Sequence, residues 1–230
     1  ERDLPKVDVA SSNLVIRSMF TGFPVAALDF YDDLEVDNTK SFWEAHKDVY
    51  AASVKAPMQA LCSALEPEFG TAKIFRPYRD VRFAKDKTPY KTHQGAFVAA
   101  GPSMGWYVEL SPRGVRVGAG FYEAAGERLA AIRGAIDDDK AGPALRRALT
   151  RLEKDGFEIG GAQLKTSPRG YDADHPRIAL LRHKQIIAGK PYGFEKVIHS
   201  PAVLDMVRDD WRALRPLVSW LQRAVSGVPG

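Results

Sequence analysis

The sequence predicts an α+β fold: a single domain with a mostly antiparallel sheet packed by N-terminal and C-terminal helices. Three observations carry that expectation. Apolar residues recur at helical spacing up to about residue 70, apolar and polar residues alternate through the middle of the chain, and helical spacing returns from Glu127. The strand-like stretches follow one another across short turns, which favours antiparallel pairing. No internal repeat or low-complexity linker divides the 230 residues, a length that suits one large domain.

The elements follow in order. Residues 1–18 mix charges without a period, and Met19 is followed by FTGFP. The expectation is an extension or expression remnant at 1–18 and a domain over 19–230. Pro24 opens a first helix carrying Leu28, Tyr31 and Leu34, which Asp37-Asn38 ends while capping the next. The second helix places Phe42, Trp43, His46 and Tyr50 on one side, and Pro57 kinks or divides it before Met58 to Leu65. Strands are predicted at Lys73 to Phe75, Tyr78 to Ala84 and Gly95 to Ala100. A hairpin of Trp106 to Leu110 and Val115 to Phe121 closes through Ser111-Pro112-Arg113-Gly114. Helices are predicted over Glu127 to Ile136, Ala144 to Lys154 and Arg177 to Gln185, with a short strand at Phe157 to Gln163 and another at Ile186-Ile187. Ser200-Pro201 starts a long amphipathic helix with Val203, Val207, Trp211, Leu214, Val218 and Leu221 on one stripe, interrupted near Pro216.

Composition narrows the function classes. Hydrophobic residues make up 45% of the chain, enough for a sizeable core. The net charge of +4 is mild, so a nucleic-acid binder needs its cations gathered on one face. The one cysteine, Cys62, excludes an internal disulfide and a multi-cysteine zinc site, and fits a reducing cytoplasm. It lies on an apolar helix face, where a buried inert thiol is expected. No apolar run approaches the roughly 18 residues of a membrane span. There is no phosphate-binding loop, nucleophile elbow or H-E-x-x-H helix, and no motif names a cofactor.

One stretch stands apart. Lys73 to Gly95, KIFRPYRDVRFAKDKTPYKTHQG, holds seven basic side chains and only two acids. Read as a strand, Tyr78 to Ala84 buries Val81 and Phe83 and so carries Arg79 on the core side, where it needs a paired acid or a bound anion. Asp80 and Arg82 share the other face and either pair or flank a ligand. Lys85, Lys87 and Lys91 then sit on a loop, ready to attract an anion. His93 follows, and His175 lies between Asp174 and Pro176 after Arg169 and Tyr171. Either histidine is able to move a proton near neutral pH. The plain alternative is a set of structural ion pairs, caps and loop hydrogen bonds. His93, Asp172, Asp174 and His175 show no recognised metal-ligand spacing, so no metal site is expected.

The same residues carry a resemblance. KIFRPYRDVRFAKDKTPYKTHQGAF resembles the signature of a bacterial conserved-hypothetical family, the domain of unknown function 2461. FTGFPVAALDFYDDLEVDNTKSFWEAHKDVY, WYVELSPRGVRVGAGFYE and SPRGYDADHPRIALLRHK agree with it, so the resemblance covers Phe20 to Leu221. Asp37-Asn38 departs from an Asn-Asn pair and still leaves a cap. The resemblance implies a single cytoplasmic domain and implies no activity.

The sequence therefore supports a binder of, or enzyme on, a small phosphate- or carboxylate-bearing ligand. Arg76, Arg79, Arg82, Lys85, Lys87, Lys91 and His93 would hold it, Arg169 and Tyr171 would form a second wall, and Asp80 or His175 would transfer protons. Nucleic-acid binding, with Tyr78, Phe83 and Tyr90 stacking on bases, is the alternative, and a purely structural or interaction module is the third.

Overall fold

The protein is described by a computed structural model over residues 19–123 and 126–228. The expectation for 1–18 falls outside the described residues. Helix α1, Val25–Val36, buries Leu28, Phe30, Tyr31 and Leu34. Helix α2, Lys40–Val49, is capped by Thr39, whose hydroxyl accepts from the Phe42 N–H at 3.2 Å. Asp37 and Asn38 therefore do not supply the cap, and Asn38 does other work described below. A π-helical turn at Tyr50–Lys55 leads into α3, Ala56–Phe69. The α-helical winding is divided at that turn while the backbone stays helical, and Pro57, which cannot donate to the ladder, sits directly after it at the start of α3.

The strands are β1 (Ala72–Ile74), β2 (Gln94–Gly101), β3 (Met104–Ser111) and β4 (Gly114–Phe121). Helices α4 (Gly126–Asp137) and α5 (Ala141–Lys154) follow, with the Asp138 carboxylate accepting from the N–H groups of Lys140 and Ala141 between them. Then come β5 (Glu158–Gly160), the single turn α6 (Ile178–Leu181), β6 (Ile186–Gly193) and α7 (Ala202–Ala224). The six strands form one sheet in the order β1-β2-β3-β4-β6-β5, and every neighbouring pair is antiparallel. The α+β reading holds.

Alternation decides the two faces of the sheet. Ala96, Val98, Val108, Leu110, Val115, Val117, Ala119 and Phe121 point to one side and are buried. Helix α7 lies against them, with Val207, Trp211, Leu214, Val218 and Leu221 in the same contiguous core. The Trp106 and Trp211 indoles lock helix to sheet, donating to the Trp211 and Tyr107 carbonyls at 3.1 and 3.2 Å. Lys190 and Tyr192 of β6 both bond to Asp210 of α7, at 3.0 and 2.7 Å. Cys62 is buried, and that burial pushes its thiol up to about 12, so it stays protonated and inert.

Four local expectations are corrected. Tyr78 to Ala84 forms no strand. Tyr78 makes an isolated bridge to Tyr90, and Phe83, expected in the core, is 97% exposed. No strand lies alongside this segment, and Pro77 and Pro89 have no N–H to give a ladder. The helix expected over 177–185 stops after one turn, because the Arg182 carbonyl and Lys184 N–H pair instead with Leu164 and Ala162. Strand β6 outruns its expected two residues because it is paired on both sides, with β4 and β5. Helix α7 runs through Pro216 unbroken: the ring faces solvent while Leu214, Leu217 and Val218 stay buried and hold the axis.

Candidate functional site

The basic segment leaves the sheet at β1 and returns at β2 as a loop. Backbone bonds close it: Arg79 N–H to the Pro89 carbonyl and Lys91 N–H to the Pro77 carbonyl, both at 2.8 Å. Asn38 clamps its far end, donating to the Tyr90 carbonyl and accepting from the Tyr90 N–H, each at 3.0 Å. The Tyr90 ring stacks on Trp43 at 4.4 Å, nearly parallel. Gln94 finishes the anchor: it accepts from the Tyr50 hydroxyl at 2.6 Å and donates to the Phe75 carbonyl at 2.8 Å.

Inside the loop, most of the predicted anion-binding cations already have partners. Arg79 bonds to Asp86 and Thr88. Asp86 also accepts from the Thr88 N–H at 2.9 Å, and that bond, with Arg79, holds its carboxyl down to about 2. Arg82 grips Asp80 through Nε at 3.0 Å and Nη2 at 2.6 Å, which holds Asp80 below the usual carboxylate range. The Lys87 ammonium donates to the Val81 carbonyl at 2.9 Å, and Lys91 donates to the Arg76 carbonyl at 3.0 Å. Burial, and then Arg76, lower the Lys91 ammonium from its ordinary value. Arg76 and Lys85 make no ion pair among the described residues, and His93 is half-buried at the entrance to β2.

The remaining candidates lie elsewhere. Arg169, Tyr171 and His175 belong to the segment between β5 and α6. β5 and β1 are the two edges of the sheet, five strand spacings apart. That is about 24 Å at the usual inter-strand distance. His175 accepts from the Arg177 N–H at Nδ1, so its proton sits on Nε2, 2.9 Å from Asp137 of α4. The Tyr171 ring meets it edge-on. This histidine ties its segment to the end of α4.

Between those edges lies a feature that the basic residues gave no sign of. The sheet face opposite α7 is open. Register places Lys73, Phe97, Tyr107, Gly118 and Gly189 in one row across it, and Gly95, Glu109 and Arg116 in the next. Ala99, Gly105, Gly120 and Ile187 form a third. With Phe75 and Tyr122, all of these residues but Gly95 line a trough of about 680 Å³. Phe97 and Tyr122 meet edge to face at 5.5 Å, and Phe75 lies 6.3 Å from Tyr107. Glycine is required where a neighbouring strand's carbonyl leaves no room for a Cβ: one at Gly105 would stand 2.1 Å from the Val98 oxygen, and one at Gly120 would stand 2.1 Å from the Ile186 oxygen.

The polar groups of the trough are few. The Tyr107 hydroxyl donates to Glu109 at 2.6 Å, and burial followed by the Glu109 charge raises its pKa, so it remains a protonated donor. Arg116 is exposed and makes no hydrogen bond or ion pair among the described residues. Lys91 links trough to loop, its ammonium 5.4 Å from the centre of the Phe75 ring. The signal that finds this site is the alternation of V-R-V-G-A-G-F at 115–121, which sends Arg116 and two glycines to one face and four apolar residues to the other.

The family model of a conserved hypothetical protein family, DUF2461, matches residues 26–220. The chain belongs to that family. No curated protein and no solved structure matches it. The match to DUF2461 takes in the loop, the trough and the His175 segment alike, so family membership does not choose between them. Among the described residues, no group of three or more His, Cys, Asp or Glu is placed to hold a metal ion, and no helix is long and apolar enough to cross a membrane.

Proposed function

We propose that the protein binds a small ligand with a flat apolar body and one anionic group, seated in the trough on the open sheet face. The observation that carries this reading is the unpaired guanidinium of Arg116 beside a wall of Phe75, Phe97, Tyr107 and Tyr122. The volume of about 680 Å³ falls in the range of about 300–1,000 Å³ usual for small-molecule sites. A planar ring packs well against aromatic edges of this kind. A carboxylate or phosphate on that ring meets the fork of Arg116, which is built for two parallel hydrogen bonds.

Lys73 in the neighbouring row lines the trough and adds positive potential there, and Arg76 and Lys85 sit on the loop that follows β1. Arg79, Arg82, Lys87 and Lys91 support the site by shaping the loop that carries these free cations. For proton transfer, Glu109 with its Tyr107 partner is the group inside the trough. Asp80 stays ionised beside Arg82, and His175 is engaged with Asp137.

A thermal-shift series tests the reading. Aromatic carboxylates and nucleoside monophosphates are compared with their uncharged counterparts at equal concentration. Saturation at 100 times Kd adds about 2.7 kcal/mol to stability. Anionic members raise Tm in wild type, neutral counterparts raise it less, and Arg116→Ala removes the difference. No shift across the series, or an equal shift in Arg116→Ala, overturns it.

A further inference from the structure

A second cationic surface lies away from the trough, on α5. Arg146, Arg147, Thr150, Arg151 and Lys154 line a shallow concavity of about 430 Å³, and all five are exposed. Spacings of three and four residues put them on one side of the helix. Arg146 and Lys154 are eight residues apart, about 12 Å along the axis. Little neutralises them. Arg151 has Asp155 at 3.9 Å, while Arg146, Arg147 and Lys154 make no ion pair or hydrogen bond among the described residues. Glu153 flanks the stripe and pairs with none of them. Stacking Arg147 over Arg151 costs the helix a few tenths of a kcal/mol, so local helix stability does not explain the pattern.

We infer that this face of α5 docks the phosphate backbone of a nucleic-acid duplex, without reading its sequence. The chemistry of the face selects that partner. A helix that lies in a membrane interface needs exposed apolar side chains, and the apolar residues of α5, Leu145, Leu149 and Leu152, are all buried in the core. Single strands are held by aromatic stacking, and this face carries no aromatic residue. Guanidinium and ammonium groups spaced along a rigid rod match phosphates spaced along a duplex, and phosphate contacts position without specifying sequence. The acidic counterpart is on a different helix: α1 carries Asp29, Asp32, Asp33 and Glu35, exposed and without ion pairs among the described residues.

Fluorescence anisotropy with two labelled DNA duplexes of unrelated sequence tests this on the full chain. Wild type binds both alike at about 50 mM salt and loses about 40-fold in affinity by about 200 mM, as three neutralised phosphates require. The variant Arg146→Gln/Arg147→Gln/Lys154→Gln keeps its Tm, because those groups are exposed, and loses binding to both duplexes. Arg147→Lys retains most of it. Absence of binding at 50 mM, or unchanged binding by the triple variant, overturns the inference. So does low-salt self-association that Asp29→Asn/Asp32→Asn/Asp33→Asn abolishes, since the stripe then serves a second copy's α1.

Discussion

The loop between β1 and β2 and the open face of the sheet are both rich in polar and aromatic side chains, and they use them in opposite ways. The loop closes on itself. Arg79 takes Asp86 and Thr88, Arg82 takes Asp80, and Lys87 and Lys91 take backbone carbonyls. Its Tyr90 is buried against Trp43. The sheet face leaves Arg116 exposed and, among the described residues, unpaired, beside the half-buried rings of Phe97 and Tyr107 and the exposed ring of Tyr122. Density of charge thus marks the segment that needs the most internal bonding to stay folded without strands. An unpaired charge beside apolar surface marks the place with bonding capacity to spare.

The contrast breaks most sharply at Tyr90. Tyr90→Ala removes a buried ring and its stack, and costs about 3 kcal/mol or more, read as a fall in urea midpoint. Equal stability of this variant and wild type would mean that the loop is not held as described. Ala99→Trp comes next. Ala99 is exposed in the trough, so the indole fills the cavity, abolishes the ligand-induced rise in Tm and leaves the urea midpoint near wild type. A retained rise places the ligand elsewhere.

Arg116→Ala is the milder counterpart. Losing a charged hydrogen-bond pair weakens binding of an anionic ligand by about 10- to 100-fold, measured by calorimetry, with the fold unaffected. On the loop side, Asp86 sets a pH response. Its folded pKa, about 2, lies below the unfolded value near 3.9, so its contribution is present above about pH 4 and is lost as pH falls toward 2. The protection factor of the Thr88 amide should therefore fall across that window in wild type and be low throughout it in Asp86→Ala. The smallest effect belongs to Arg82→Ala. It breaks an exposed pair with Asp80, and the urea midpoint should not move measurably. A large shift would make that pair a structural keystone.

How much was readable in advance differs between these regions for physical reasons. Amphipathic period and turn chemistry are local, so the helices, the Ser111–Gly114 hairpin and the antiparallel sheet were legible from the chain alone. Tyr78 to Ala84 had strand alternation and no strand to pair with, and pairing is decided by distant segments. Arg177 to Gln185 had helical spacing, yet Gln163 and His183 meet in a bridge that only the folded chain offers. The two groups of predicted site residues were joined by chemistry of type, His175 with the arginines, and the strand order sends them to opposite edges.

Residue type and spacing by themselves determined that this chain packs N-terminal and C-terminal helices on an antiparallel sheet, buries Cys62 and Trp211, and concentrates cations between β1 and β2. Only the tertiary structure decided which charges remain free. Neutralisation depends on through-space distances of about 3 Å, and neighbours in sequence say little about those. Arg82 met its acid two residues away, whereas Arg116 faced Glu109 across a strand pair and found that carboxylate already bonded to Tyr107.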